Sequence, residues 1–338
     1  TRSIEGRCFL FSKLLRSSTI AFLVLIAGPA PCSAAESAIG YPSRPVRLLV
    51  PQGIGASNDT LSRALAGKLG ETLGQQVVVD NRPGAGGLIG MEIAAHAAPD
   101  GYTLLASATA TQVIAPQLHR KLAFDPFKDL LPISLFGITL NVFVVHPLVP
   151  AKSVKEFIAL TRSAPGKLNM ASAGAGSQSH LAGVQLMLAI GVDTTHVPYK
   201  GGGASVAAVI ANESQFTVTP LPAVLTHIKS GRLRALGTGG ERRSTQLPDV
   251  PTIAEAGLPK FQSAGWIGLM APRGLPQPVF GKVLAALVQA MKQPDTREQI
   301  ERQGGDPVVS SPEEFAKFIR EEWDRFGQAI KAAKLKVE

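Results

Sequence analysis

The sequence predicts two α/β lobes joined by two strand crossings, and three observations predict them. Short apolar runs alternate with stretches of helical spacing along most of the 338 residues, as in a largely parallel sheet wrapped by helices. A strand, glycine turn and helix start follow one another once in each half, at Val46–Asp59 and at Leu168–Leu181. Two further apolar runs, Asn141–His146 and Trp266–Ala271, stand where the chain would cross to the second half and return. A chain of this length buries a sizeable core, and its 34 glycines, 25 prolines and charged share of 17% suit short loops around buried strands.

Taken in order, Val46–Val50 is a strand stopped by Pro51. Leu61, Leu65, Leu69 and Leu73 space a helix over 59–73 that Gly74 closes, and Val77–Asp80 is a second buried strand. A glycine-rich turn at Asn81–Gly87, a helix over 89–98, a turn at Pro99–Gly101 and a strand over Tyr102–Ser107 complete βαβαβ. A connecting region begins at Asp125. Ser153 caps a helix over 153–162, the second glycine unit follows, and then come Thr195–Gly203 and an Ala/Val-rich helix to Ala211. Strands over Gln215–Thr219 and Arg234–Thr238 flank a helix over Pro222–Ser230, and Pro251–Gly257 reads as a short helix. Amphipathic helices over Val279–Lys292 and Pro312–Lys334 return to the first lobe. Lobe one is thus 41–142 and 266–338, and lobe two is 143–265, with two crossings as the hinge of a closing binding protein.

Residues 1–35 read as a secretory signal peptide, which places the protein in the periplasm. Arg2, Arg7, Lys13 and Arg16 precede the apolar run Thr19–Ala27, and small residues follow around Cys32–Ala35. The run is too short to span a bilayer comfortably. Both cysteines, Cys8 and Cys32, lie in this segment, so the remainder has no thiol for disulfide, catalysis or metal. Removing 1–35 takes away four bases and one acid, lowering the formal net charge of +9 by three. The remaining bases are scattered and aromatics are few, which argues against nucleic acid and for a mild field favouring anionic solutes.

Chemistry concentrates at the two glycine units. Successive backbone N–H groups in a glycine turn, with a helix N-terminus behind them, make a hollow that suits an anion. The first is Gly53, Ile54, Gly55, Ala56, Ser57, Asn58 and Asp59; the second is Ser172, Gly174, Ala175, Gly176, Ser177, Gln178 and His180. Ser107, Thr109 and Thr111 stand at the carboxyl end of a strand, where open α/β sheets place ligands. Asp59 reads as a loop-orienting residue rather than a base. Tyr199 reads equally as a pocket wall beside Gly201 or as a buried structural tyrosine, and His180 equally as a ligand contact or a packed cap. Arg82 and Asn81 read as a structural brace for the Pro-Gly turn. Gly53–Asn58 with Asp80 mimics a dinucleotide fingerprint, but Asn58 stands where the third glycine belongs. No Gly-x-Ser-x-Gly elbow occurs, and the six histidines have no paired metal spacing. No catalytic residue, metal or cofactor is therefore expected.

In sequence order the motifs form a longer pattern. They are Tyr41-Pro-x-Arg-Pro-Val, Val79-Asp-Asn-Arg-Pro-Gly-Ala-Gly-Gly87, Ala98-Pro-Asp-Gly-Tyr-Thr-Leu-Leu105, Ser172-Ala-Gly-Ala-Gly-Ser, Ser179-His-Leu-Ala, His196-Val-Pro-Tyr-Lys-Gly201 and Leu247-Pro-Asp-Val-Pro-Thr-Ile-Ala-Glu-Ala-Gly257. The chain from about Tyr41 to Lys331 resembles the periplasmic substrate-binding proteins of tripartite tricarboxylate transporters, the Bug family. The resemblance implies a two-lobed periplasmic binding protein of type II, with the C-terminal helices in lobe one. It implies a carboxylated solute held by the two loops, partly through water, with walls at 107–111 and 199–201, and delivery to membrane subunits of a transporter. Gln52, Gly55-Ala56 and Asn58-Asp59 depart from the Phe, Gly-Gly and Thr-Asp common in the family. The strand Thr217-Val-Thr-Pro220 lacks the acidic residue that members often carry there, which favours a plain carboxylate over an amino acid. Nothing in the pattern suggests a coiled coil or a large apolar surface, so a monomer is expected. A sensory receptor with a signalling partner and a secreted α/β enzyme are the alternative functions.

Overall fold

The computed structural model describes residues 40–259 and 261–335; the signal-peptide reading of 1–35 and both cysteines lie outside them. Among the described residues the strands are β1 (Val46–Val50), β2 (Val77–Asn81), β3 (Thr103–Ala108), β4 (Leu130–Val145), β5 (Asn169–Ser172), β6 (Thr195–Pro198), β7 (Phe216–Pro220), β8 (Arg234–Thr238), β9 (Ala264–Pro272) and β10 (Gly305–Pro307). The α-helices are α1 (Ser57–Leu73), α2 (Leu88–Ala95), α3 (Val154–Ser163), α4 (Gln178–Ile190), α5 (Gly202–Ile210), α6 (Leu221–Lys229), α7 (Gln277–Lys292), α8 (Pro294–Arg302) and α9 (Pro312–Ala332).

The strands form two sheets of one plan. In the first, β1 lies between β2 and β3 and parallel to both; β9 runs antiparallel to β3, and the first part of β4 pairs with β9 and with β10. In the second, β5 lies between β6 and β7 and parallel to both, with the last part of β4 antiparallel to β7 and to β8. Each sheet is thus a 2-1-3 parallel trio closed by an antiparallel strand that also belongs to, or leads from, the other sheet. The expectation of a two-lobed periplasmic-binding-protein fold holds.

Strand periodicity sets the layers. Val46, Leu48 and Val50 face a core shared with α1 and α7, while Leu49 faces the opposite core shared with α2 and α9. A parallel strand buried on both faces reads as one apolar run because each face needs a helix over it. In the second sheet Phe143, Phe157 and Phe216 meet edge to face, with centroids 4.7–5.8 Å apart, a geometry that aligns ring edges with ring faces.

The two sheets join at a ring of three backbone hydrogen bonds. Asn141 N–H donates to Ser263 C=O (3.0 Å), Ser263 N–H to Gly239 C=O (2.8 Å), and Gly239 N–H to Asn141 C=O (2.8 Å). A Cβ on Gly239 would overlap the Ser263 carbonyl, so only glycine lets the three segments approach this closely.

Several sequence expectations are corrected. The strand expected at 141–146 begins at Leu130, because residues 130–140 pair with β9 before the chain enters the second sheet. The parallel arrangement stops at β3, since the crossing strands run antiparallel. The second strand is an edge with Val78 exposed, not a buried strand. Pro251–Gly257 forms turns rather than a helix: Thr252 bridges to Thr238, and Ile253 is buried against the second sheet. The helix expected over 89–98 spans Leu88–Ala95, and α8 and β10 were not anticipated.

Two glycine substitutions separate the constraints. Gly239→Ala should destabilise by roughly 2–3 kcal/mol, because the methyl must displace the Ser263 segment. Gly281→Ala, in α7 with open space around its would-be Cβ, should stabilise by about 0.5–1 kcal/mol. Urea unfolding of the two variants beside the parent chain measures both.

Candidate functional site

The first glycine loop leaves the end of β1 as a tight turn. Ala56 N–H donates to Gly53 C=O at 3.2 Å, and Gly55 stands at φ +80°, the third-position conformation of a type II turn. Ile54 at the corner is 81% exposed. α1 then starts on Ala56 without a side-chain cap, so the N–H groups of its first turn, from Ser57 onward, lack intrahelical partners. Behind the turn, Asn58 and Asp59 are buried. Asn58 Nδ2 donates to Ala106 C=O (2.7 Å) and its Oδ1 accepts from Ser62 Oγ (3.2 Å). The Asp59 carboxylate accepts from Gly55 N–H, Arg63 Nε and Asn81 Nδ2, each at 2.9 Å. Burial raises the pKa of Asp59, but the bonds from Arg63, Gly55 and Asn81 outweigh it and hold the carboxyl below its ordinary value. Asp59 thus fastens the loop and Asn58 ties it to β3; the polar atoms of both point into the protein.

Ser107, Thr109 and Thr111 are fully buried, and they are used locally. Ser107 Oγ donates to Gln112 Oε1 (3.2 Å), Thr111 Oγ1 accepts from Ala108 N–H (3.1 Å), and Thr109 Oγ1 accepts from Trp266 N–H on β9 (2.9 Å). A π-type turn over Thr109–Ile114 and a tighter one over Ala115–Leu118 carry this wall. A cavity of about 260 Å³ lies beside the start of α9, lined by Gln112, Phe127, Met270, Arg273 and Arg320 among others.

The second loop is bound to itself. Ala173 N–H donates to Ser179 Oγ (2.9 Å), Gly174 N–H to Ser172 Oγ (3.2 Å), Gly176 N–H to His180 Nδ1 (3.1 Å) and Ser177 N–H to Gly174 C=O (3.1 Å). Ser177 caps α4 by accepting from His180 N–H. These bonds turn inward most of the N–H groups expected to line a hollow; Ala175 stays exposed at the tip. Gly176, at φ +73°, lies so close to Leu118 that a Cβ would overlap it. The second loop and the wall after β3 are therefore in contact, while Asn58 joins the first loop to β3 itself.

The structure adds a pair that sequence spacing did not disclose. His180 and His196 stack with centroids 3.7 Å apart and planes 8° from parallel, and His196 Nε2 is 2.6 Å from Ser172 Oγ. This serine–histidine pair is a fastener: Ser172 is fully buried, and its Oγ also engages both polar groups of the Gly174 backbone. Burial lowers the His180 pKa, with His196 adding to it, to about 4; burial also lowers that of His196. Tyr199 donates to or accepts from Ser214 Oγ at 3.1 Å and packs beside Val206 and Val209, while Gly201 N–H donates to Ala173 C=O (3.1 Å). The hydroxyl of Tyr199 thus has a structural partner. Asp80 is held by Arg47 and Arg82, so the acidic position of the dinucleotide pattern is occupied by ion pairs.

The family model of the tripartite tricarboxylate transporter family receptor matches residues 61–335. Protein BugT of Bordetella pertussis is 36% identical over 320 residues, covering 94% of this chain and 98% of that one. Two solved structures carry ligands. Rpa4515 of R. palustris with adipate has a TM-score of 0.81 at 29% identity, covering 88% of this chain and 99% of that one. MatC from Rhodopseudomonas palustris with bound malate has a TM-score of 0.76 at 33% identity, covering 86% and 100%.

Acid should loosen the second loop. His180 is neutral in the folded chain, whereas the unfolded chain takes up a proton below about pH 6.5. Its contribution is therefore complete above pH 6.5 and lost as pH falls towards about 4, with a limit on the order of 3 kcal/mol. Urea unfolding between pH 7.5 and 4 should show this slope, and His180→Gln should make it shallower, leaving the share of His196.

Proposed function

The chain belongs to the tripartite tricarboxylate transporter receptor family, and from that premise we propose that it is a periplasmic receptor for a small organic carboxylate. The ligand is held between lobe one (41–142 and 266–338) and lobe two (143–265) and handed to the membrane subunits of a transporter. The observation that carries this reading is the first loop: an exposed glycine turn backed by a helix that starts without a side-chain cap. Unpartnered N–H groups and the positive end of the helix dipole suit a carboxylate. Adipate and malate in the two relatives are carboxylates of that size.

The donors we assign are the N–H groups of Gly53, Ile54 and Ser57, with Gly55 and Ala56 shaping the turn through their own bonds, and in the second loop those of Ala175, Gln178 and Ser179. Asn58, Asp59, Ser172, Ser177 and His180 support those loops from behind. The other end of the ligand meets β7, which finishes on Thr219 and Pro220. No carboxylate stands on that strand to pair with an ammonium group, so we assign a plain carboxylate and not an amino acid. We assign binding rather than catalysis to the site, since the hydroxyl of its serine–histidine pair is buried and held by the Gly174 backbone.

Thermal unfolding against mono-, di- and tricarboxylates, malate and adipate included, and against amino acids checks this. A carboxylate at a hundredfold excess over its Kd should stabilise by about 2.7 kcal/mol, while amino acids leave the midpoint unmoved. Selective binding of an amino acid would overturn the ligand class. A flat panel would overturn the receptor reading for these solutes.

A further inference from the structure

Gln178 follows the second glycine loop directly, as the first residue of α4, yet its side chain is spent on the place where the sheets join. Its Nε2 lies 3.4 Å from Asn141 Oδ1, and Asn141 donates its Nδ2 to Ser263 Oγ at 2.8 Å. Asn141 and Ser263 are both buried, and both are members of the three-bond backbone ring. The Gln178 amide also lies directly against Gly265 of β9: a Cβ there would overlap its nitrogen. The absence of a side chain at Gly265 is what admits it. One turn along α4, Leu181 is buried in the core of the first sheet with Trp266 and Phe315. The first turn of α4, which belongs by sequence to the second sheet, therefore grips the returning strand at two points.

We propose that Gln178 is a positioning residue that couples the second glycine loop to the crossing strands, so that the placement of one sets the placement of the other. The amide chain Gln178–Asn141–Ser263 carries the coupling. Its consequence for binding rests on the receptor reading: a solute that orders the loop also orders the hinge, without touching it.

The test needs no ligand. Amide hydrogen exchange is followed in the free protein at residues 173–177, at the ring amides of Asn141, Gly239 and Ser263, and in β1. Gln178→Ala should raise exchange about tenfold, the loss of one net hydrogen bond, in the loop and in the ring together, while β1 keeps its protection. Gly265→Ala, whose methyl expels the same amide, should reproduce that pattern. In a double-mutant cycle, Gln178→Ala should add little once Asn141→Ala has already removed its partner. Faster exchange in the loop alone, or a uniform rise that includes β1, would overturn the coupling, as would additive effects in the cycle. Because no solute is present, these outcomes stand apart from whether any carboxylate binds.

Discussion

Asn141, Gly239 and Ser263 come from three distant stretches of chain, and each gives its N–H to the next and takes the previous one on its carbonyl. No segment can leave this ring without breaking two buried hydrogen bonds at once, and buried backbone groups left unpaired are costly. The ring fixes where β4 passes from one sheet to the other, where β8 ends, and where β9 begins. Those three events determine the relation of the strand ends that carry the glycine loops. A side chain at Gly239 is excluded because it would occupy the space of the Ser263 carbonyl. The ring is thus a backbone feature with a single compositional requirement.

The two loops look alike in sequence but are stabilised differently. A buried carboxylate holds the first from below, and the helix behind it begins uncapped. Hydroxyls and stacked neutral imidazoles hold the second, whose helix is capped by Ser177. The first loop therefore keeps more unpartnered N–H groups than the second, with the helix dipole directed the same way. The second loop is shaped more by its own bonds, and it makes contact with the wall that follows β3.

Much of this architecture was legible because it is written in local periodicity. Val46–Val50, the leucines of α1, the Ser153 cap and the turn glycines each announce themselves within a few residues. The first part of β4 is not legible as a strand because it opens Leu-Leu-Pro132 and includes polar Ser134, and only pairing with β9, more than a hundred residues away, makes it one. Pro251–Gly257 has helical composition, yet the bridge from Thr252 to Thr238 and the burial of Ile253 override local propensity. At the site, the glycine turns were visible, but the direction of each amide was not. His196 lies 16 positions from His180 and 24 from Ser172, and no spacing rule connects them; the parallel pairing of β5 with β6 does. Gln178 read as a loop residue because its partners, Asn141 and Gly265, are adjacent only in space.

The first sheet is closed by the end of the chain. Its core with α1 is completed by Val283, Leu287 and Met291 of α7, and its opposite core by Phe315, Ile319 and Phe326 of α9. A growing chain that has produced β1, β2 and β3 therefore still lacks the helices that shield them. Those strands stay without a finished core until the last segments emerge, because contacts so distant in sequence form only after the intervening chain exists. The second sheet encloses its own helices α3 to α6 and has no such wait. The strands made early therefore depend for a finished core on helices made late.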